Sequence, residues 1–459
     1  MKLNQELLQK YNKPVPRYTS YPPANYFTED YKPSLYKDDI KSSNNWNTEN
    51  ISLYIHIPFC RKICHYCGCN SSPMAKSDKI RNYVQAIKKE IKQVSSHIDK
   101  SRKVSQIHYG GGTPNAIPSE YLGEINSLIE SEFSFIANPE IAIECNPACL
   151  DISYVNALKE TGFNRFSLGI QDFNEQVLRY INRDPSAMPL EELIRLLKEG
   201  KDNISVNLDF IYGLPGQTID SFVKTISKAI DLKPDRLVTF SYAHVPWIKK
   251  AQNILEKIGL PEPDVKIEMF LRANEVLKQH GYFPIGLDHY VLKSDELFKA
   301  LENHTLHRNF QGYCTRRTTG QVYAFGVSSI SQLDKAYIQN TKSIDTYIDS
   351  IQKDEIPVIK GYRLNQNEMI TREVINELMC NKRIIWKNLA EKFNTPEEKI
   401  KENVVLDYDQ LKIFSDDGII ILSDQAIQVT EDGMLFVRNV AASLDPLYRQ
   451  QQNLYSKSV

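Results

Sequence analysis

The chain has 459 residues, enough for about three domains or one large barrel with attachments, and 41% hydrophobic with 25% charged residues excludes a mostly disordered polymer. With 56 Lys+Arg against 57 Asp+Glu it is not a generic polyanion binder, so no nucleic-acid partner is expected, although a local basic pocket is allowed. No apolar run approaches the roughly 18 residues of a membrane span, and the opening MKLNQELLQKYNKPVPRYTSYPP has no apolar signal core, so a cytoplasmic location without disulfides is expected.

In chain order, residues 1–35 are rich in Pro, Tyr and Lys and read as an extended arm over a surface. Short β-like runs follow at Ser52–Ile57, Ser105–Tyr109, Glu140–Glu144, Arg165–Ile170, Ser205–Tyr212 and Arg236–Tyr242. Between the first two, Ile80, Val84, Ile87, Ile91 and Val94 share one helical face. Further helices are expected over Ser119–Glu132, Ile152–Thr161, Pro189–Gly200 and Thr218–Leu232. Strands alternating with helices imply parallel βαβ units and a curved or barrel-like α/β sheet. From Gly361 the pattern changes to helices over Arg372–Met379 and Pro396–Gln410, β runs at Gly418–Leu422 and Ala426–Thr430, a Glu431-Asp432-Gly433 turn and a helix from Met434. That pattern reads as a small winged-helix-like domain with a structural or lid role. The expected division is arm 1–35, barrel 36–360 and C-terminal domain 361–459.

In a parallel barrel the working residues follow the C-terminal ends of the strands. Here those ends carry Pro58-Phe59-Cys60, Gly110-Gly111-Gly112-Thr113-Pro114, Glu144-Cys145-Asn146-Pro147, Gln171-Asp172, Asp209 before Gly213-Leu214-Pro215-Gly216, and Ala243-His244. One barrel mouth would gather all of them.

Four of the eight cysteines lie within CRKICHYCGC. A structural zinc site usually splits its thiols into two distant pairs, whereas one compact loop suits an iron–sulfur cube with an open iron. The spacing therefore assigns Cys60, Cys64 and Cys67 as ligands. Cys69 stands too close to Cys67 to take another corner. Cys149 and Cys380 read as buried thiols. The triple glycine has no following GKS/T and is not a phosphate-binding Walker loop. It offers a backbone edge free of Cβ atoms to a small polar cofactor.

The sequence YIHIPFCRKICHYCGCN carries the hook of radical S-adenosylmethionine enzymes. Together with PRYTSYP, YGGGTPN, IECNP, SLGIQDF, NLDFIYGLPGQT, YAHVP and HRNFQGY, the chain resembles, end to end, the oxygen-independent coproporphyrinogen III oxidases. The resemblance implies a partial (βα)6 TIM-like barrel, one [4Fe-4S] cluster and two S-adenosylmethionine sites. It implies a 5′-deoxyadenosyl radical that takes hydrogen from substrate propionates, converting coproporphyrinogen III to protoporphyrinogen IX. By motif position the first S-adenosylmethionine falls to Tyr54, Gly111, Glu144, Gln171, Arg183 and Asp209, with Tyr54 and Arg183 as catalytic residues. The second falls to Tyr66, Gly112, Thr113, Ala243 and Ile330. Arg17, His307, Arg308, Arg316 and Arg317 are candidates for the substrate carboxylates, with Cys314 standing where the family pattern has Thr. The arm would act as a lid that orders on substrate binding. An unidentified electron donor and acceptor are implied, and a monomer is expected. Taken alone, Glu144 and Asp209 read as paired carboxylates, Arg183 as a surface ion pair, and His56 and His108 as core residues. The alternatives are a haem chaperone descended from the same family, which typically lacks both the arm and Cys69, another radical S-adenosylmethionine enzyme such as a methyltransferase, and a zinc-stabilised scaffold.

Overall fold

The computed structural model describes residues 5–45, 50–200, 203–315, 321–450 and 455. Its centre is six parallel strands: β1 Asn50–Ile57, β2 Lys103–Gly111, β3 Ser134–Cys145, β4 Arg165–Gln171, β5 Ser205–Tyr212 and β6 Arg236–Ser241. Spatial order equals chain order, and every neighbouring pair is parallel. Such an order requires a crossover after each strand. The crossovers contain helices α1 Ser77–Ser95, α2 Ser119–Glu132, α3 Ile152–Glu160, α4 Leu190–Lys198 and α5 Ile219–Asp231. On α1 the expected apolar face is the buried one, Ile80, Val84, Ile87 and Ile91, each such aliphatic side chain contributing roughly 1.5–3 kcal/mol. Helix α5 starts at a capping box in which Thr218 and Ser221 satisfy each other's backbone amides, as its first turn requires.

The sheet continues past both ends of this array to twelve strands. Val322–Phe325 pairs parallel with β1, and Ile330–Gln332, Ala336–Asn340 and Val358–Arg363 follow antiparallel. Beyond β6 lie His289–Val291 and Phe283–Ile285. The two outer strands do not pair with each other, so the barrel is partial. Strands β2 and β3 extend beyond the expected runs because their pairing shifts register between Val104 and Gln106. That irregularity hides the extra residues from an alternation pattern.

The N-terminal segment differs from the extended arm expected. Residues Gln5–Tyr11 form a helix, and Leu8, Tyr11, Val15, Tyr18 and Tyr21 are buried in the C-terminal core. Tyr18 and Tyr21 donate to the two oxygens of Asp445, at 2.9 and 3.1 Å. The Tyr residues that looked like surface contacts are core side chains with satisfied hydroxyls. The helix Pro33–Ser43 runs across the expected boundary at residue 35, and Tyr36 and Ile40 pack in the barrel core.

In the C-terminal region, the stretch expected as one helix over Pro396–Gln410 is two helices, Glu397–Glu402 and Tyr408–Asp416. Asp407 caps the second by accepting from the Gln410 amide at 3.1 Å. This local bond competes with continuing the first helix. The sheet there has a third strand, Arg383–Ile385, paired with Ala426–Val429, which also pairs with Ile420–Leu422. At three residues it is too short to show a period. Among the described residues, no helix is long and apolar enough to cross a membrane.

Candidate functional site

A cavity of about 520 Å³ opens at the C-terminal ends of β1–β6. Its wall is a polar face written across the strands with period two. Gln106 and His108 come from β2, Glu140, Ala142 and Glu144 from β3, and Arg165, Ser167 and Gly169 from β4. Asn207 and Asp209 come from β5, and Arg236 and Val238 from β6. Alternate residues of a strand share a face, so these positions turn inward while most of their neighbours pack outward. The sequence reading missed most of this set by treating the polar positions of the apolar runs as incidental.

The floor is an ion-pair network. Glu140 accepts from Gln106 Nε2 at 2.7 Å and from Arg165 Nε at 2.5 Å. Arg236 forks onto Asp295 at 2.7 and 3.0 Å. Burial pushes the Glu140 carboxyl up, but the Arg165 and Arg236 guanidiniums outweigh it and hold the group at about 2. Higher up, Asp209 accepts from Ser167 Oγ at 2.6 Å and from Asn207 Nδ2 at 2.8 Å. Burial pushes the Asp209 carboxyl up to about 6. Glu144 Oε1 lies 2.9 Å from His108 Nε2, so His108, expected as a core residue, faces the cavity and orients a carboxylate. Tyr54 does not reach the wall among the described residues. Its ring stacks on His108 with centroids 6.0 Å apart, and its hydroxyl lies 3.1 Å from His56 Nδ1.

The hook leaves β1 after Ile57 and is clipped by Phe59–Cys60 pairing with Ser72–Pro73. The Ser72 amide donates to Pro58 O at 2.7 Å. Cys60, Cys64, Cys67 and Cys69 all line the cavity. Thr113 Oγ1 lies 3.3 Å from Cys60 Sγ, and Arg183 Nη1 lies 3.7 Å from Cys64 Sγ. A bond from the Cys69 thiol holds the Cys67 thiol down at about 6, while burial pushes Cys60 up to about 11. Three thiols from one compact loop, Cys60, Cys64 and Cys67, face the same cavity, a donor set that fits an iron–sulfur cluster.

The glycine ledge packs tightly against the hook and Glu144, with Gly111 and Gly112 facing the cavity. A Cβ on Gly112 would meet Pro58 O at 2.4 Å and Cys60 Sγ at 3.0 Å. One on Gly110 would meet Glu144 Oε1 at 2.8 Å. Gly111 has φ +116, a conformation side chains avoid. Gln171 also sits at positive φ, +69, and with Arg183 it packs over Gly169, whose carbonyl accepts from Arg183 Nη2. A non-glycine residue held there marks a locally strained turn at the cavity rim.

Cys60, Cys64, Tyr66, Cys67, Gly111, Gly112, Thr113, Glu144, Gln171, Arg183 and Asp209 thus share one cavity. Ala243 and Ile330 stand outside its wall. Ala243 lies in the loop after β6, and Ile330 packs with Phe27 and Tyr337. Of the substrate candidates, Arg17 and Arg308 line the cavity and Cys314 joins them. His307 lies on the neighbouring strand Leu306–Asn309 without reaching the wall. Arg316 and Arg317 fall outside the described residues. Gln252 gave no sequence signal, being one amide in a surface-like helix. It is 1% exposed and donates to Tyr66 O at 3.0 Å and Ala243 O at 3.2 Å. It ties the hook to the loop after β6, as Lys249 does through Cys69 O at 2.6 Å.

The chain is similar to known proteins along its whole length. A family model described as the Radical SAM superfamily matches residues 54–229, and one described as the HemN C-terminal domain matches residues 364–436. The oxygen-independent coproporphyrinogen III oxidase of Synechocystis sp. is 36% identical over 463 residues, covering 100% of this chain and 98% of its own. The enzyme of the same name from Escherichia coli (strain K12) is 36% identical over 455 residues, covering 98% and 96%. That from Helicobacter pylori (strain J99) is 34% identical over 456 residues, covering 99% of each. The solved structure of coproporphyrinogen III oxidase (HemN) from Escherichia coli, described as a radical SAM enzyme, superposes with a TM-score of 0.89 at 33% identity. It covers 97% of this chain and 99% of that one.

Proposed function

This chain belongs to the oxygen-independent coproporphyrinogen III oxidase family, and from that premise we propose how its cavity performs the family's reaction. The enzyme converts two propionate side chains of coproporphyrinogen III to vinyl groups, giving protoporphyrinogen IX in haem biosynthesis. Each conversion removes one hydrogen atom from the propionate β-carbon, one carbon dioxide and one electron. Its [4Fe-4S] cluster and S-adenosylmethionine supply, when bound, the carbon radical that takes the hydrogen.

The residues supply position and shelter. Cys60, Cys64 and Cys67 hold the cluster. The Gly110–Gly112 edge admits S-adenosylmethionine against the backbone. Arg183, beside Cys64, pairs with its carboxylate, and Gln171 lies next to Arg183 over Gly169. Glu144, set by His108, and Asp209, set by Ser167 and Asn207, accept from its amino and hydroxyl groups. Tyr54 acts through His108, on which it stacks, and so is a positioning residue. Tyr66, Gly112 and Thr113 are the wall residues of the second S-adenosylmethionine site, which Ala243 and Ile330 support from behind. Tyr66 and Phe310 exclude water from the reacting end.

The division into arm, barrel and C-terminal domain at residues 35 and 360 remains part of this proposal. Separate hydrophobic clusters in the barrel and in the C-terminal region support the boundary near residue 360, while the segment before residue 35 contributes side chains to both. We propose a cytoplasmic monomer. An external donor and acceptor complete its electron balance. The observation that carries the reading is the meeting of hook, glycine ledge and paired carboxylates in one cavity of a chain that matches named oxidases over its full length. Anaerobic reconstitution with iron and sulfide, then S-adenosylmethionine, a reductant and coproporphyrinogen III, is expected to yield divinyl product and carbon dioxide. Haem binding without decarboxylation would replace the reading with that of a chaperone, which none of these relatives supports.

A further inference from the structure

Beside the main cavity lies a second chamber of about 140 Å³, and the two share Arg17, Phe240, Asp288, His289 and Arg308. Its wall combines the barrel end, the N-terminal segment and the C-terminal domain. Five cationic side chains line it, Arg17, Lys278, Arg308, Lys382 and Arg438, against the carboxylates Asp288 and Glu431. Those carboxylates are already engaged. Asp288 lies 2.6 Å from His289 Nδ1, and Glu431 lies 4.0 Å from Lys278 Nζ.

Arg17 and Arg308 are only partly matched within the protein. Arg308 is 8% exposed, donates through Nη1 to Arg17 O at 3.1 Å, and leaves its buried Nε without a partner. Arg17 projects into the open space of both chambers, and among the described residues its guanidinium has no hydrogen-bond or ion-pair partner. Arg438 is 5% exposed and turns onto the chain that carries Arg17, donating to Pro16 O at 3.0 Å and to Val15 O. Mutual repulsion and burial leave a mark. Burial lowers Arg17, and burial with Arg17 and Arg308 nearby lowers Arg438 to about 9. A nearby lysine, Lys266, falls to about 8 for the same reasons. Asp288 faces both Arg17 and Arg308, but the cations of the wall outnumber its carboxylates. Burying the excess positive charge is costly, and an anion in the chamber lowers that cost.

The remaining wall selects the kind of anion. Tyr212, Phe240, Phe270, Leu287 and Leu435 are apolar or aromatic, a poor surface for a hydrated inorganic ion and a good one for a carboxylate on a hydrocarbon stem. The opposite end of the main cavity presents Glu144 and Asp209, which hold a carboxylate less tightly than the chamber does. Charge is thus separated along the cavity, and such a field orients a ligand with several acids.

Resting on the function proposed above, we propose that this chamber seats propionates of the tetrapyrrole that do not react in a given turnover. Arg17 and Arg308 grip their carboxylates, and Arg438 positions Arg17 by holding the carbonyls of Val15 and Pro16 before it. The C-terminal domain thereby takes part in substrate orientation, leaving one propionate to reach the acidic end.

The test uses the full chain with its cluster and, as probe, coproporphyrin III, the air-stable tetracarboxylate relative of the substrate, titrated by fluorescence quenching. Arg17→Gln is expected to raise Kd at least tenfold, while Arg17→Lys, which keeps the charge, recovers most of the affinity. The Michaelis constant for coproporphyrinogen III should rise with it, and kcat should change less. Iron content and unfolding midpoint check that each variant is folded, and Arg308→Gln serves as a second variant should Arg17→Gln fail to fold. Kd within twofold of wild type in the folded glutamine variants overturns the chamber's role while leaving the oxidase reading intact. A wild type that neither binds coproporphyrin III nor consumes coproporphyrinogen III overturns both.

Discussion

Replacing Gly112 by alanine tests whether the hook is held by contact with the glycine ledge. The added Cβ would lie 2.4 Å from Pro58 O, 2.6 Å from Pro58 C and 3.0 Å from Cys60 Sγ. Ordinary contact needs about 3.5 Å, so the Pro58 carbonyl must retreat by about 1 Å. That carbonyl accepts the Ser72 amide that clips the hook closed. Overpacking of this kind costs about 1–3 kcal/mol, and a displacement near 1 Å at a reacting group costs roughly 100-fold in rate. Gly68 is the control. It lies in the same hook, and a Cβ there would meet nothing within 4 Å. Iron per chain and the dithionite-driven rate of S-adenosylmethionine cleavage are the readouts. Gly112→Ala should lower the cleavage rate 10- to 100-fold, and Gly68→Ala should stay within twofold of wild type. Equal behaviour of the two variants would refute the steric argument.

Cys64→Ser should lose most of its iron whereas Cys69→Ser keeps it. Equal loss, measured by iron analysis, would overturn the choice of three ligands. Asp209 carries a carboxyl raised from 3.8 to about 6 by burial, so its ionisation opposes folding. That opposition is absent below about pH 4 and reaches a plateau of about 3 kcal/mol above pH 6. The Asp209→Asn variant should therefore gain stability relative to wild type as pH rises from about 4 to 7, read from urea unfolding midpoints. A gap independent of pH would contradict this. Glu140→Gln leaves Arg165 with only the longer pair to Glu296, 3.9 Å from its Nη2, and should cost about 3 kcal/mol. A loss below about 1 kcal/mol would show that the floor network contributes little.

What the sequence made legible follows from period and spacing. The six strands, the helices between them and the hook are written in contiguous residues, and the structure has them within a few positions. The polar cavity face was visible in principle, since SQIHY, EIAIE and RFSLGI alternate polar with apolar residues. It is recognisable only once those strands are laid in register. Gln252 and Arg438 were not legible, because each acts on backbone carbonyls brought near by tertiary folding. The helix at Gln5–Tyr11 was hidden because its apolar side chains, Leu8 and Tyr11, face a partner surface more than 350 residues away in the chain. Ala243 and Ile330 came from motif position alone, and neither lines the cavity.

The central claim is that this cavity brings the 5′-carbon of S-adenosylmethionine within reach of a propionate β-carbon. Coproporphyrinogen III deuterated at the propionate β-carbons tests it directly, with mass analysis of the 5′-deoxyadenosine released under anaerobic turnover. The account predicts one deuterium transferred for each carbon dioxide formed and two such transfers for each divinyl product. Release of 5′-deoxyadenosine without deuterium, or deuterium transfer without carbon dioxide, would contradict it.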